Sequence, residues 1–333
     1  MNNHKLIYLL TCNLPEAERS SSPRNSSTKQ EFKCSGCTEP CGLYCETCLK
    51  SVATTSLAAY QDALDDKGEI TKHLLTTDRH PADDLCVLSV MCLIKLGMLE
   101  EKPTPEPLES RKSRYFLQAA ALLEKAWLQS KSNFEISLLL VRLYSYLGCG
   151  SLAMRAYQRL TLKQIQLDTL SYVLFDRIST FHPRPFTSHS MDPASDKTPL
   201  QRLQRQQQIY EEAYTMVSKN VWLSFKNGSY NSMFHIKNIS KELSHGLGAA
   251  MSVIESRKVS RITEPKAEIS AVSNGLDLLA PNPETHGVLS TDNLDYKSHP
   301  NYESTLSHSF EKATRFVPAP TASRRLPQIH VIH

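Results

Sequence analysis

The chain has 333 residues, of which 40% are hydrophobic and 22% charged, with a formal net charge of +4. This composition supplies enough apolar side chain for one large domain or two ordinary ones, and it excludes a chain that is disordered throughout. Glycine is scarce, at 11 residues, which favours helices over tight-hairpin β folds and Gly-rich phosphate loops. The mild positive charge requires neither nucleic acid nor a membrane as partner, and no run of about 18 apolar residues predicts a transmembrane helix.

In chain order, the composition predicts six regions. We expect a flexible, Ser-rich leader at 1–33, a cysteine-rich segment at 34–50, helical repeats at 51–186, a loop at 187–199, further helices at 200–262, and an extended, partly disordered arm rich in proline at 263–333.

Five of the nine cysteines follow the leader, in the pattern Cys34-x2-Cys37-x3-Cys41-x3-Cys45-x2-Cys48. Two C-x2-C pairs can supply four thiolates to one tetrahedral zinc ion. The spacer between the pairs is shorter than the usual 15–20 or so residues. The pattern predicts a small structural zinc knuckle formed by Cys34, Cys37, Cys45 and Cys48, with Cys41 as a spare ligand. The alternative is a loop of free thiols or a poorly structured leader. Catalytic zinc is not expected, because no His or carboxylate indicates an open coordination position.

Of the other four cysteines, three lie in strongly apolar segments and are predicted to be buried free thiols: Cys86, Cys92 and Cys149. The apolar run at 6–10 is too short for a signal peptide. Together these features predict a reducing, cytoplasmic location.

The segment 85–99 is apolar on every side, which predicts a buried helix. Asp83 and Asp84 stand where negative charge suits the helix dipole, and a proline-rich stretch predicts a loop at 101–110. The charged residues at 77–84 are interpreted first as a loop that caps this helix, with a partner contact as the sharper alternative.

Helical patterns follow at 117–129, 134–147, 152–160 and 166–180, with Gly148 as a helix stop. The spacing of a tetratricopeptide motif, with its period of about 34 residues, is present in one unit: Leu140, Tyr144, Gly148, Ala153, Tyr157 and Leu160. The position usually held by Trp is Ser137, so the repeat is degenerate. The predicted fold is therefore an all-α, degenerate TPR-like superhelix, with an irregular helix bundle as the alternative.

Two further helical stretches are predicted at 200–226 and 230–258, separated by Asn227-Gly228. The first has Leu203, Tyr210 and Trp222 on its apolar side. Arg202 and Arg205 on this helix are interpreted as part of a solvated face, and no specific nucleic-acid partner is expected.

No catalytic or cofactor-binding residue is predicted. The chain has no G-x-S-x-G elbow, no phosphate-binding G-x-x-x-x-G-K-[ST] and no G-x-G-x-x-G. Its 12 histidines do not cluster as ligands.

Several segments resemble the non-catalytic, auxiliary subunit of the N-terminal acetyltransferase B complex, NatB. They are TTDRHPADDLCVLSVMCLIKLG (76–97), FEISLLLVRLYSYLGCGSLAMRAYQRLTLKQIQLDTLSYVLFDRIS (134–179), SFKNGSY (224–230) and IESRKVSRI (254–262). TDNLDYKSHPNYES (291–304) looks like the family's "DNRD…PNWE" segment, with Tyr302 in place of Trp. The cysteine-rich segment is similar to that of fungal-type members.

This resemblance implies a helical-repeat scaffold that wraps a small catalytic subunit. That partner uses acetyl-CoA to acetylate nascent chains beginning Met-Asp, Met-Glu, Met-Asn or Met-Gln, and the resemblance also implies contact with the ribosome and nascent chains. The chain lacks the R-x-x-G-x-[GA] loop of the catalytic partner, so it is expected to be no enzyme. Because family members are much longer, we expect a truncated chain. The alternative is a zinc-containing helical-repeat module for protein interaction or nucleic-acid regulation.

Overall fold

The computed structural model describes residues 3–5, 46–65, 72–75, 77–100, 114–163, 165–176, 178–186, 198–244 and 246–263. In these ranges the regular elements are α-helices, which confirms the all-α prediction. The described residues fall into two compact units, divided after Leu147. The first unit contains α1 (Glu46–Asp65), α2 (Asp83–Glu100), α3 (Arg114–Gln129) and α4 (Phe134–Tyr146).

The second unit contains four shorter helices followed by three longer ones. Its helices are α5 (Gly150–Arg159), α6 (Ile165–Leu170), α7 (Tyr172–Phe175), α8 (Ile178–Phe181), α9 (Pro199–Lys226), α10 (Tyr230–Ser244) and α11 (Leu247–Thr263).

The helices of the first unit pack in succession, α1 on α2, α2 on α3 and α3 on α4. Because α2 contacts a helix on two sides, it requires apolar residues all round. Its buried side chains confirm the prediction of a buried helix: Leu85, Cys86, Val87, Leu88, Val90, Met91, Cys92, Ile94 and Leu96.

Helix α4 begins and ends as its sequence predicts. The side chain of Asn133 caps its first turn, accepting a hydrogen bond from the backbone N–H of Glu135 at 3.1 Å. After Leu147, Gly148 adopts a φ of +74°, a conformation that favours glycine, and the helix ends.

In the second unit, α9 contacts both α10 and α11, and α11 also packs against α6, α7 and α8. Thr198 and Gln201 form a capping box at the start of α9, with Pro199 in its first turn. This arrangement fixes the start of the longest helix in the described part of the chain.

Two predicted helices are each divided in the structure. The stretch 166–180 forms α6, α7 and α8, with Ser171 between the first two and Asp176 after the second, where the backbone becomes extended with a ψ of 113°. The stretch 230–258 is two helices, α10 and α11, with Gly246 between them. Glycine is unfavourable inside a helix and so marks a natural break.

Several predictions fall wholly or mostly outside the described residues. These are the leader at 1–33, the cysteine pattern before residue 46, the loop at 101–110, the loop at 187–199 except Thr198 and Pro199, which begin α9, and the arm after residue 263. The TPR-like repeat stays a prediction, since the helices expected to carry it, α4 and α5, belong to different units. No helix in the described ranges is long and apolar enough to cross a membrane.

Candidate interaction surfaces

The charged side chains of the loop before α2 form ion pairs within the first unit. Arg79 forms ion pairs with Asp84 and with Glu135, the latter with Nη1 and Oε1 3.1 Å apart. Lys5 Nζ lies 2.6 Å from Asp84 Oδ2. Both carboxylates stand in the first turn of a helix, where negative charge is favourable. The loop thus joins the starts of α2 and α4, in agreement with its interpretation as a helix cap.

A buried polar layer lies beside this loop. Asp83 is fully buried, and its Oδ2 accepts a hydrogen bond of 2.8 Å from Asn133 Nδ2. The backbone N–H of His80 donates to Ser130 Oγ at 3.2 Å, and that of Ala82 donates to His80 Nδ1 at 3.2 Å. These bonds fix the loop against the turn between α3 and α4, so the polar residues here position helices.

Of the predicted zinc ligands, Cys34, Cys37 and Cys45 lie outside the described residues. Cys48 is buried in the first turn of α1. Within the described ranges, no group of three or more His, Cys, Asp or Glu side chains is placed to hold a metal ion. The zinc knuckle stays a prediction.

The three cysteines predicted to be buried thiols divide into two groups. Cys86 and Cys92 are buried in α2, as predicted. Burial, with a smaller effect from the charge of Asp83, raises the pKa of the Cys86 thiol to about 12. The prediction for Cys149 is wrong, since this residue is exposed. It follows Gly148 and occupies the N-cap position of α5, where the chain turns between helices.

In the second unit, His182 has a packing role. Its ring stacks on Phe186 with centroids 5.2 Å apart, and Ser151 Oγ lies 3.4 Å from its Nε2. A side chain at Gly150 would collide with this ring, because a Cβ there would lie 2.3 Å from His182 Cγ. Burial lowers the pKa of His182, against the smaller effect of a hydrogen bond with the backbone of Pro185. The His182 ring therefore packs against the first residues of α5, Gly150 and Ser151.

Hydrogen bonds join α9 to the short helices and to α11. Tyr210 donates to Asp168 Oδ1 at 2.6 Å, Gln206 Nε2 donates to Ser171 Oγ at 2.6 Å, and Gln207 Nε2 donates to the carbonyl of Ser252 at 3.2 Å. Burial, and then the charge of Asp168, raises the pKa of Tyr210. The tyrosine therefore remains a hydrogen-bond donor throughout the neutral range.

Helices α9 and α10 form a hairpin, and the side chains near its connecting turn at Asn227-Gly228 are exposed. From residue 215 to residue 238 no side chain is buried. Trp222 stacks on Phe225 with ring centroids 5.8 Å apart, and Phe225 contacts Tyr230 edge-on at 6.3 Å. We call the exposed large apolar residues here the aromatic patch: Met216, Trp222, Leu223, Phe225, Tyr230 and Phe234.

Sequence reasoning placed Trp222 on the apolar side of α9, but 68% of it is exposed in the structure. Leu203 and Tyr210, expected on the same side, are buried. Large exposed apolar groups in one place mark interaction sites in folded proteins. In the described part of the chain, buried polar groups hold the helices in place, and one aromatic surface is uncovered. These two features are typical of a helical scaffold or interaction protein.

The comparisons identify the family within this class. Residues 5–296 match the family described as the N-acetyltransferase B complex (NatB) non catalytic subunit, and the chain belongs to that family.

Two curated relatives illustrate the similarity. The chain is 27% identical over 257 residues to "N-terminal acetyltransferase B complex subunit arm1" of Schizosaccharomyces pombe, a match that covers 75% of this chain and 28% of the relative. It is 33% identical over 124 residues to "N-alpha-acetyltransferase 25, NatB auxiliary subunit" of Homo sapiens, covering 37% of this chain and 11% of the relative. The matched part of the chain spans less than a third of the length of these relatives.

A solved structure has the same fold. It is a chain of "The NatB Acetyltransferase Complex Bound To CoA and MES", with a TM-score of 0.52 and 21% sequence identity, and the match covers 75% of this chain and 30% of that chain.

Proposed function

We propose that this chain is a non-catalytic scaffold of the NatB complex, which binds the catalytic subunit and supports its acetylation of nascent chains. The observation that carries the proposal is the family match, which extends over residues 5–296 and so spans both compact units. The proposed site of action is the cytoplasm, at the ribosome, where nascent chains emerge.

The chemistry of the described side chains supports a scaffold. Arg79, Asp83 and Asn133 join helix starts in the first unit, and Tyr210 and Asp168 join helices in the second. Because these polar groups bond to other helices of their own unit, their role is to hold the helices in place. Helical-repeat scaffolds, the architecture predicted for this chain, bind partners through many modest contacts over an extended surface.

The partner supplies the reaction in this proposal. The catalytic subunit binds acetyl-CoA and transfers the acetyl group to the α-amino group of Met-Asp, Met-Glu, Met-Asn or Met-Gln termini. The present chain contributes binding and positioning, and none of its residues is assigned to acetyl transfer.

An acetylation assay tests this function. The catalytic subunit is assayed on a peptide beginning Met-Asp, alone and with this chain added, and a peptide beginning Ser-Asp is the substrate control. We expect this chain to stimulate acetylation of the Met-Asp peptide only, and to have no activity when added alone. Equal rates with and without the chain would contradict the proposal, as would acetylation by the chain alone.

A further inference from the structure

The aromatic patch is exposed, because the α9–α10 hairpin does not bury it against other structure. Helices α9 and α10 contact each other, but along 215–238 the best-covered side chains are only half-buried: Val217, Val221, Ser224, Met233 and Ile236. Helices in proteins are stabilised mainly by packing an apolar face against other structure. Here six large apolar side chains instead stand more than half exposed at the surface of the pair.

The charge of the hairpin indicates what kind of segment fits on it. From 215 to 238 the sequence contains Lys219, Lys226 and Lys237, all exposed, and no Asp or Glu. An apolar surface surrounded by charges of one sign favours an occupant that is apolar with charges of the opposite sign. The occupant should therefore be an acidic segment with interspersed aliphatic residues.

One such segment follows α11 in the same chain. Residues 267–296 contain no Lys or Arg. Their five acidic residues are Glu268, Asp277, Glu284, Asp292 and Asp295. Between these stand aliphatic residues suited to an aromatic surface, namely Ile269, Val272, Leu276, Leu278, Leu279, Val288, Leu289 and Leu294.

The end of α11 allows this segment to reach the patch. Ser252 of α11 lies beside Gln207 of α9, and Gly248 lies beside Tyr210, so α11 runs away from the hairpin tip. At about 1.5 Å per helical residue, Thr263 is about 40 Å from Trp222 along the helix axes. An extended chain spans that distance in roughly 12 residues. Residues from about 276 onward can therefore contact the patch.

We propose that the part of this segment within reach, residues 276–296, docks on the aromatic patch of its own chain, with its acidic side chains against Lys219, Lys226 and Lys237. A protein segment suits this surface better than RNA does. Nucleic-acid affinity depends mainly on neutralised phosphates, whereas the patch has more large apolar groups than lysines.

Fluorescence of Trp222 in the full-length chain tests the docking. The chain has two tryptophans, Trp127 and Trp222, so a Trp127→Phe background leaves Trp222 as the reporter. Acrylamide, a neutral quencher, then measures its exposure without interference from charge. We expect Trp222 to be protected in this background, and protection to be lost, with a red shift of emission, in Asp277→Lys/Glu284→Lys.

Reversing the charges of two lysines on the hairpin as well completes the test. Adding Lys219→Glu/Lys237→Glu to the Asp277→Lys/Glu284→Lys chain should restore the protection. The matched control is Asp62→Lys/Asp65→Lys, which reverses two exposed acids of α1 in the other unit and should leave Trp222 protected. Circular dichroism of each variant verifies that the helices remain folded.

Three results would overturn the proposal. The first is equal quenching of Trp222 in the Trp127→Phe background and in its Asp277→Lys/Glu284→Lys derivative. The second is protection that disappears on dilution, which would identify a second copy of the chain as the occupant. The third is protection that appears only when RNA or the NatB catalytic subunit is added.

Discussion

Asn133 shows how one residue can serve two helices. Its Oδ1 caps α4, while its Nδ2 donates to the buried carboxylate of Asp83 at the start of α2. Removing it would leave that carboxylate without this donor in a site that water does not reach. The residue therefore couples the start of α4 to the start of α2 in the first unit.

We predict that Asn133→Ala lowers the free energy of unfolding by about 1–3 kcal/mol, the cost of a lost cap and an unmade buried hydrogen bond. Urea unfolding followed by circular dichroism measures this loss. Asn220→Ala, an exposed position within α9, is the control and should change stability by less than about 0.5 kcal/mol. Equal stability of the two variants would contradict the described role of Asn133.

Cysteine reactivity tests the contrast between buried and exposed thiols. Since burial raises the pKa of Cys86 to about 12, this thiol stays protonated and unreactive at mildly alkaline pH. We predict that iodoacetamide modifies Cys149 in the folded chain and Cys86 only after denaturation, as mapped by peptide mass spectrometry. Modification of Cys86 in the folded chain at the rate of Cys149 would show that α2 is not buried as described.

At the scale of elements, the contact between α2 and α3 depends on a glycine. A Cβ at Gly97 would lie 2.8 Å from Phe116 Cζ. Phe116 is buried and packs on Tyr146 with ring centroids 5.0 Å apart, so its ring has little room to move. The absence of a side chain at Gly97 allows the two helices to approach closely.

We predict that Gly97→Ala is destabilising, because an overpacking cost of about 1–3 kcal/mol exceeds the gain of up to about 1 kcal/mol in helix propensity. Thermal unfolding measures the balance. Adding Phe116→Leu to Gly97→Ala should recover part of the loss, since the shorter side chain makes room for the new methyl group. A more stable Gly97→Ala chain would contradict the close approach of α2 and α3.

Tyr210 tests the polar contact between α9 and α6. We predict that Tyr210→Phe costs about 1–3 kcal/mol, because the buried carboxylate of Asp168 loses the hydroxyl that donates to it. Tyr230→Phe removes the same group from an exposed position and is the matched control. Identical melting of the two variants, measured by differential scanning calorimetry, would show that the Tyr210 hydroxyl does not stabilise the second unit.

Particular residues show what the sequence could and could not predict. The apolar residues of α2 predicted a buried helix, and Gly148 predicted the end of α4. The division of 166–180 into three helices was missed because that stretch contains neither Gly nor Pro. The exposure of Trp222 was not predicted, because an apolar pattern does not show whether a neighbour covers it. The pairing of Tyr210 with Asp168 joins helices distant in sequence, and no local pattern indicates it.

At the scale of the whole molecule, the family match spans both units, while the relatives extend well beyond the matched region. In a helical scaffold, each part contributes its own portion of the binding surface. We therefore propose that this chain itself binds the NatB catalytic subunit.

Sedimentation velocity of the chain mixed with the catalytic subunit tests this claim most directly. We predict a new, faster-sedimenting species containing both proteins in equimolar amounts, with each protein alone sedimenting more slowly. An unrelated acetyltransferase subunit of similar mass is the control and should sediment independently. Independent sedimentation of this chain and the NatB catalytic subunit, at concentrations where the control also shows no complex, would contradict the claim.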